Sequence, residues 1–143
     1  MTKNLLIRLM LTLLTTSVSP QCFCQSDWDI VKEAKALPIA NIKATVKGFA
    51  FDKTVYISKD TLNKGFTIEL QDPSFKIVFF RLYYLCEDCD IWVKTIYDNK
   101  VTVKDAPILK GLKKGEILGC TLFKVEKAGK FYTLPEVTFS ITE

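Results

Sequence analysis

Histidine is absent from all 143 residues. Without an imidazole, serine–histidine and cysteine–histidine catalytic arrangements are excluded. Zinc sites that rely on histidine go with them. Enzymes built on carboxylates or lysines survive this filter. Glycine and proline are also scarce, at 6 and 5 residues, and no stretch is low in complexity. Charge of one sign is not in large excess: the formal net charge is +4 and the basic residues are scattered, which argues against a nucleic-acid partner. Beyond the first residues no apolar run approaches the ~20 needed to cross a bilayer. What is present is core-forming material. Hydrophobic residues make up 48% of the chain and aromatics 12%, ample for one folded domain.

The start of the chain reads as a targeting segment. Lys3 and Arg8 supply positive charge, the run Leu9-Met10-Leu11-Thr12-Leu13-Leu14 is short and apolar, and small residues follow. That is the pattern of a secretory signal peptide, here residues 1–24, with Cys22 and Cys24 at the critical small positions before cleavage. The expected mature domain is 25–143, exported to the periplasm or beyond, with no membrane span and three of the five cysteines retained.

Residues 27–36 read as a short helical turn or an irregular lead-in. From there β signals dominate. Ile42, Ala44 and Val46 alternate with polar residues, as in a half-buried strand. Thr54-Val55-Tyr56-Ile57 is a second strand, and Phe66-Thr67-Ile68-Glu69-Leu70 alternates again. Between them Ser58 caps a helical turn that ends near Gly65. The strongest strand signal is 75–85. Val78, Phe80, Leu82 and Tyr84 are assigned to the core face, with Phe79, Arg81 and Tyr83 on the other. Residues 90–97 give its partner, and a turn at 98–100 leads to Val101-Thr102-Val103. A short helix follows, capped by Asp105, opened by Pro107 and ended by Gly115. Strands are expected at 116–125 and 136–142, with a turn at Lys127-Ala128-Gly129-Lys130. Many short strands separated by turns predict an all-β sandwich with one or two helical turns.

Candidate chemistry is limited. Cys86-Glu87-Asp88-Cys89 is a C-x-x-C between two strand-like runs, so a hairpin tip, with Cys86 and Cys89 a candidate disulfide, is preferred to a redox centre. Cys120 reads as a buried structural thiol. Glu87, Asp88 and Asp90 read as a solvated acidic turn, without calcium-loop spacing. No catalytic, cofactor or metal residues are assigned. Candidate partner-binding residues are Tyr83 and Trp92, because aromatics dominate binding hot spots, and the lysines Lys110, Lys113 and Lys114. Trp28, Tyr97 and Tyr132 are further aromatics of which some can be exposed anchors.

The last two thirds of the chain resembles the C-terminal domain of the GldM family of gliding-motility proteins. The pieces that carry the resemblance are Ile57-Ser58-Lys59-Asp60-Thr61-Leu62, residues 72–82, Leu109-Lys110-Gly111-Leu112-Lys113-Lys114-Gly115-Glu116, residues 124–130, and Leu134-Pro135-Glu136-Val137-Thr138-Phe139-Ser140-Ile141. Their order matches the family. The resemblance implies an immunoglobulin-like or related β-sandwich in the periplasm, working with the type IX secretion and gliding apparatus of Bacteroidota. This sequence reads as the terminal module alone behind a signal peptide, hence an accessory with an envelope protein partner. The family's full-length member is dimeric, which makes a homo-oligomer a candidate state. The expectation is therefore a non-enzymatic interaction module. The alternatives are a sandwich that binds a carbohydrate or surface ligand, and a small carboxylate- or thiol-based enzyme.

Overall fold

The computed structural model describes residues 27–143. The segment read as a signal peptide, with Cys22 and Cys24, lies outside the described residues. The chain is predominantly β. In order it forms α1 (Asp27–Ala36), β1 (Ala44–Val46), β2 (Thr54–Ser58), α2 (Lys59–Asn63), β3 (Phe66–Leu70), β4 (Lys76–Leu85), β5 (Trp92–Ile96), β6 (Lys100–Val101), a 3-10 turn (Pro107–Lys110), β7 (Ile117–Lys127), β8 (Lys130–Tyr132) and β9 (Val137–Thr142).

Local chemistry accounts for several boundaries. Ser58 Oγ accepts the amide of Thr61 and so caps α2. The β7–β8 hairpin closes with Lys127 opposite Lys130. Its two turn residues, Ala128 and Gly129, both have positive φ, at 50° and 76°, the conformation a tight hairpin needs and glycine supplies freely. α1 is a regular helix rather than a lead-in. Asp27 and Asp29 lie in its first turn and Lys35 in its last, which suits the helix dipole, and Ile30 and Ala34 share one buried face.

Two sheets are present among the described residues. A three-stranded sheet runs β1-β3-β6, and a six-stranded sheet runs β2-β9-β7-β4-β5, with β8 beside the C-terminal half of β7. The β2–β9 pair is parallel, and the others are antiparallel. After β5 the chain crosses to the other sheet, where the Ile68 amide donates to the Asn99 carbonyl at 2.7 Å. Residues from both sheets meet in one core. Phe66 of β3 packs edge-to-face on Phe139 of β9 with ring centroids 5.6 Å apart, and Phe80 stacks on Phe123 at 5.4 Å. Leu109 and Leu112, both fully buried, close one end. Each such side chain contributes about 1.5–3 kcal/mol relative to exposure.

Two expectations are corrected. Val78 does not share the core face with Phe80, Leu82 and Tyr84. The β4–β7 register shifts between Ile77 and Phe79, and again between Phe79 and Arg81. The first shift moves Val78 to the outer side, where it packs with Phe79 against α1, while Ile77 joins the main core. Leu122, at φ 49°, bulges β7 at the same place and packs into the same small cluster. The predicted Asp105-capped helix is the short 3-10 turn, with Gly111 as its C-cap and no side-chain N-cap. Asp105 instead accepts the amide and hydroxyl of Thr102, at 3.0 and 2.6 Å. That turn upstream takes up the carboxylate and leaves the helix start uncapped.

Candidate functional site

The core side of the six-stranded sheet is filled, so its chemistry lies on the outer face and at its ends. α1 covers part of that face. Ile30 and Ala34 cover Phe79, with Val78 and Leu122 around them. Asp27 lies 3.9 Å from the Arg81 guanidinium, and Glu33 pairs with Lys124. The Lys124 ammonium also lies 4.3 Å from the Phe131 ring centroid.

Beside this covered zone the face is open. Tyr83 lies across β7 at Gly119, where a Cβ would come within 2.4 Å of the ring. Any larger residue at 119 displaces the ring, so the glycine builds a shelf for it. The Tyr83 hydroxyl donates to Glu136. Burial, reinforced by that carboxylate, pushes the Tyr83 phenol from 10.0 up to about 12. Tyr84, on the core side, is also raised to about 12, first by burial and then by Glu116.

β5 ends the sheet. Its core-side residue Ile96 is buried, and Lys94, aligned with Leu82, sends its ammonium to the Asp105 carbonyl. Its outer-side residues are Val93, which is exposed, and Thr95, which is half-buried. Val93 stands opposite Tyr83 at 39% exposure, with Ile91 just before the strand at 67% and Tyr97 just after it at 64%. The Tyr97 ring meets the Phe79 ring edge-to-face at 6.2 Å. Trp28 lies on α1 away from its buried Ile30 and Ala34 face and is 69% exposed. Ile91, Val93 and Tyr97 thus leave exposed apolar groups along the β5 end of the sheet.

A second feature lies at the β4–β5 tip. Cys86 and Cys89 are joined there, with Cα atoms 5.5 Å apart. The tip faces the segment that enters β7. Between them runs a groove of about 670 Å³, lined by Leu85, Cys86, Glu87, Asp88, Lys113, Lys114, Gly115, Glu116 and Ile117. Lys114 is paired with Glu143 at 2.7 Å. Acidic and basic side chains therefore share this groove.

The sequence-predicted residues separate into three places. Lys113 and Lys114 join the disulfide tip, more than twenty residues away in sequence, and Lys110 stays outside that groove. Tyr83 lies on the shelf. Trp92 is half-buried against the main core, opposite Tyr84. Of the other aromatics singled out in the sequence, Trp28 and Tyr97 are exposed. Ile91 and Val93 were missed as surface residues, although their alternation with Trp92 and Lys94 marks the face they occupy. Cys120 is a fully buried free thiol, and burial raises its pKa well above the ordinary value. Among the described residues, no three carboxylates or cysteines are grouped to hold a metal ion. No described helix is long and apolar enough to cross a membrane. Neither protein-family models nor curated proteins give a match to this chain.

Proposed function

We propose that this chain is an exported, non-enzymatic protein-interaction module of the cell envelope, accessory to type IX secretion or gliding, as its resemblance to the GldM C-terminal domain implies. The proposal includes an immunoglobulin-like sandwich, and two sheets sharing one core support that reading. The observation that carries the function is the set of exposed apolar side chains Ile91, Val93 and Tyr97 along the outer side of the sheet's β5 end. Exposed aromatics are enriched in protein-binding hot spots, and exposed apolar patches mark interaction surfaces. The partner is an envelope protein that presents a complementary apolar surface.

The test is an affinity pull-down of the chain against the envelope fraction of its source cell, with mass-spectrometric identification, run beside a Val93→Glu, Tyr97→Glu double variant. Recovery of secretion or gliding components by the wild type, lost in the variant, supports the proposal. A blank from folded wild type, or equal recovery by the variant, contradicts it.

A second reading is favoured by the Tyr83 shelf. An aromatic ring lying on a sheet, beside Thr138 and Glu136, is suited to stacking on a sugar ring. Glycan-array binding abolished by Tyr83→Ala, with Val93→Glu neutral, would select this carbohydrate-binding alternative.

A further inference from the structure

The opposite end of the six-stranded sheet is closed by β2, whose only described strand neighbour is β9. The Thr138 amide donates to the Lys53 carbonyl at 3.1 Å. Backbone groups in a parallel ladder alternate in direction, so Lys53, Val55 and Ile57 turn theirs toward β9. Thr54, Tyr56 and Ser58 turn theirs to the free edge. Natural edges are usually guarded, and an inward-pointing charge is one such guard. β5 has one in Lys94. β2 has none: its core-side residues are Val55 and Ile57, both buried, and its outer-side Tyr56 is 69% exposed.

We propose that a second copy of this chain pairs along the β2 edge, antiparallel, about a twofold axis at Tyr56. The residues of β2 form a chemical palindrome about this axis, Thr54-Val55-Tyr56-Ile57-Ser58. The axis sets Tyr56 against Tyr56, Val55 against Ile57, and Thr54 against Ser58. The residues whose backbone groups face outward, at 54, 56 and 58, are thereby paired with one another, so each opposed pair can exchange both hydrogen bonds. Side chains keep their faces. Small hydroxyls meet hydroxyls, the branched aliphatics continue the core layer, and each tyrosine ring gains an aromatic neighbour. The pairing ends at Ser58, where the chain turns into α2 at Lys59. One continuous sheet then runs through both copies. This pairing is independent of the β5 surface and leaves it free for a different partner.

Residues in a hydrogen-bonded antiparallel pair have Cα atoms about 5.5 Å apart, within disulfide range. The test is therefore oxidative cross-linking of the chain carrying Tyr56→Cys, read by tryptic peptide mass mapping. The expected product is residue 56 linked to residue 56 of a second copy, while Tyr97→Cys gives no corresponding self-linked peptide. Absence of the residue-56 product, or equal self-linking at residue 97, overturns the proposal. Sedimentation equilibrium gives a second reading. Tyr56→Pro removes an outward amide without touching the β9 ladder, and should weaken wild-type self-association by about tenfold or more. A wild type that stays monomeric at every concentration, or a proline variant that associates equally well, also overturns it. Loss of the envelope partner in the pull-down above would leave these outcomes unchanged.

Discussion

β2 and β5 are both terminal strands of one sheet, yet they expose different things. β5 exposes side chains. Lys94 obstructs its core side by reaching the Asp105 carbonyl, while Ile91, Val93 and Tyr97 expose apolar groups on its outer side, with Thr95 between the last two. β2 exposes backbone. Its side chains are a small hydroxyl at each end and one tyrosine, and its core side holds only buried aliphatics. Backbone recognition is indifferent to sequence except through register, so it suits pairing with an identical copy. Side-chain recognition discriminates by shape and polarity, so it suits a foreign protein. A single inward lysine is thus enough to distinguish two edges that strand order alone makes equivalent.

The largest perturbation removes both edges together. Phe123 is fully buried in β7, between the two ends of the sheet, and stacks on Phe80. Phe123→Ala is expected to cost about 3–5 kcal/mol in denaturant unfolding, and to abolish partner capture and self-association alike. Loss of only one of the two would show that the edges are not supported by a common core.

Next is Gly119→Ala, which forces the Tyr83 ring off its shelf at a cost of roughly 1–3 kcal/mol. It also has a titration signature. In the wild type the Tyr83 phenol is raised to about 12, so it holds its proton in the folded chain at pH values where the unfolded chain has begun to lose it. The resulting stabilisation is fully present below pH 10.0 and is lost as pH rises toward about 12. Ultraviolet titration of the alanine variant should show one phenol returning toward 10.0. An unchanged alkaline profile would mean that the shelf does not set this group.

Reducing Cys86–Cys89 should lower stability by about 2 kcal/mol at most, since so short a loop constrains the unfolded chain little. Two free thiols at these positions in the mass of the unreduced protein would remove the disulfide from the account. The smallest change in stability, within about 0.5 kcal/mol, is expected from Lys94→Val, a substitution of an exposed side chain. Its effect on association should be larger. Without the inward charge β5 becomes an open edge, and light scattering should reveal a second mode of self-association that Tyr56→Pro does not suppress. If Lys94→Val behaves as wild type, the inward lysine is not what separates the two edges.

Much of this fold was legible locally. The alternation at residues 66–70 gives β3, Ser58 gives the start of α2, and Gly129 marks the hairpin. The apolar placement of Cys120 gives its burial, and Phe79 and Tyr83 are on the outer face of β4 as their parity requires. What was not legible depends on distant pairing. Nothing near Thr54 announces a parallel alignment with Thr138, and nothing near Gly119 announces that Tyr83 lies across it. The bulges at Val78 and Leu122 reverse a parity that the sequence shows as unbroken, because α1 supplies apolar cover on the outer side. The candidate surface was half visible for the same reason. Its aromatics are conspicuous in sequence, but only the strand order makes β5 terminal, turns Trp92 inward and leaves Val93 and Tyr97 outside.

The most direct measurement of the division between the edges is residue-resolved amide hydrogen exchange on the wild-type chain across a range of protein concentrations. The account predicts that the amides of Thr54, Tyr56 and Ser58 slow as concentration rises, while those of β5 exchange at rates independent of it. Concentration-dependent protection appearing on β5 instead, or equally on both strands, would contradict it.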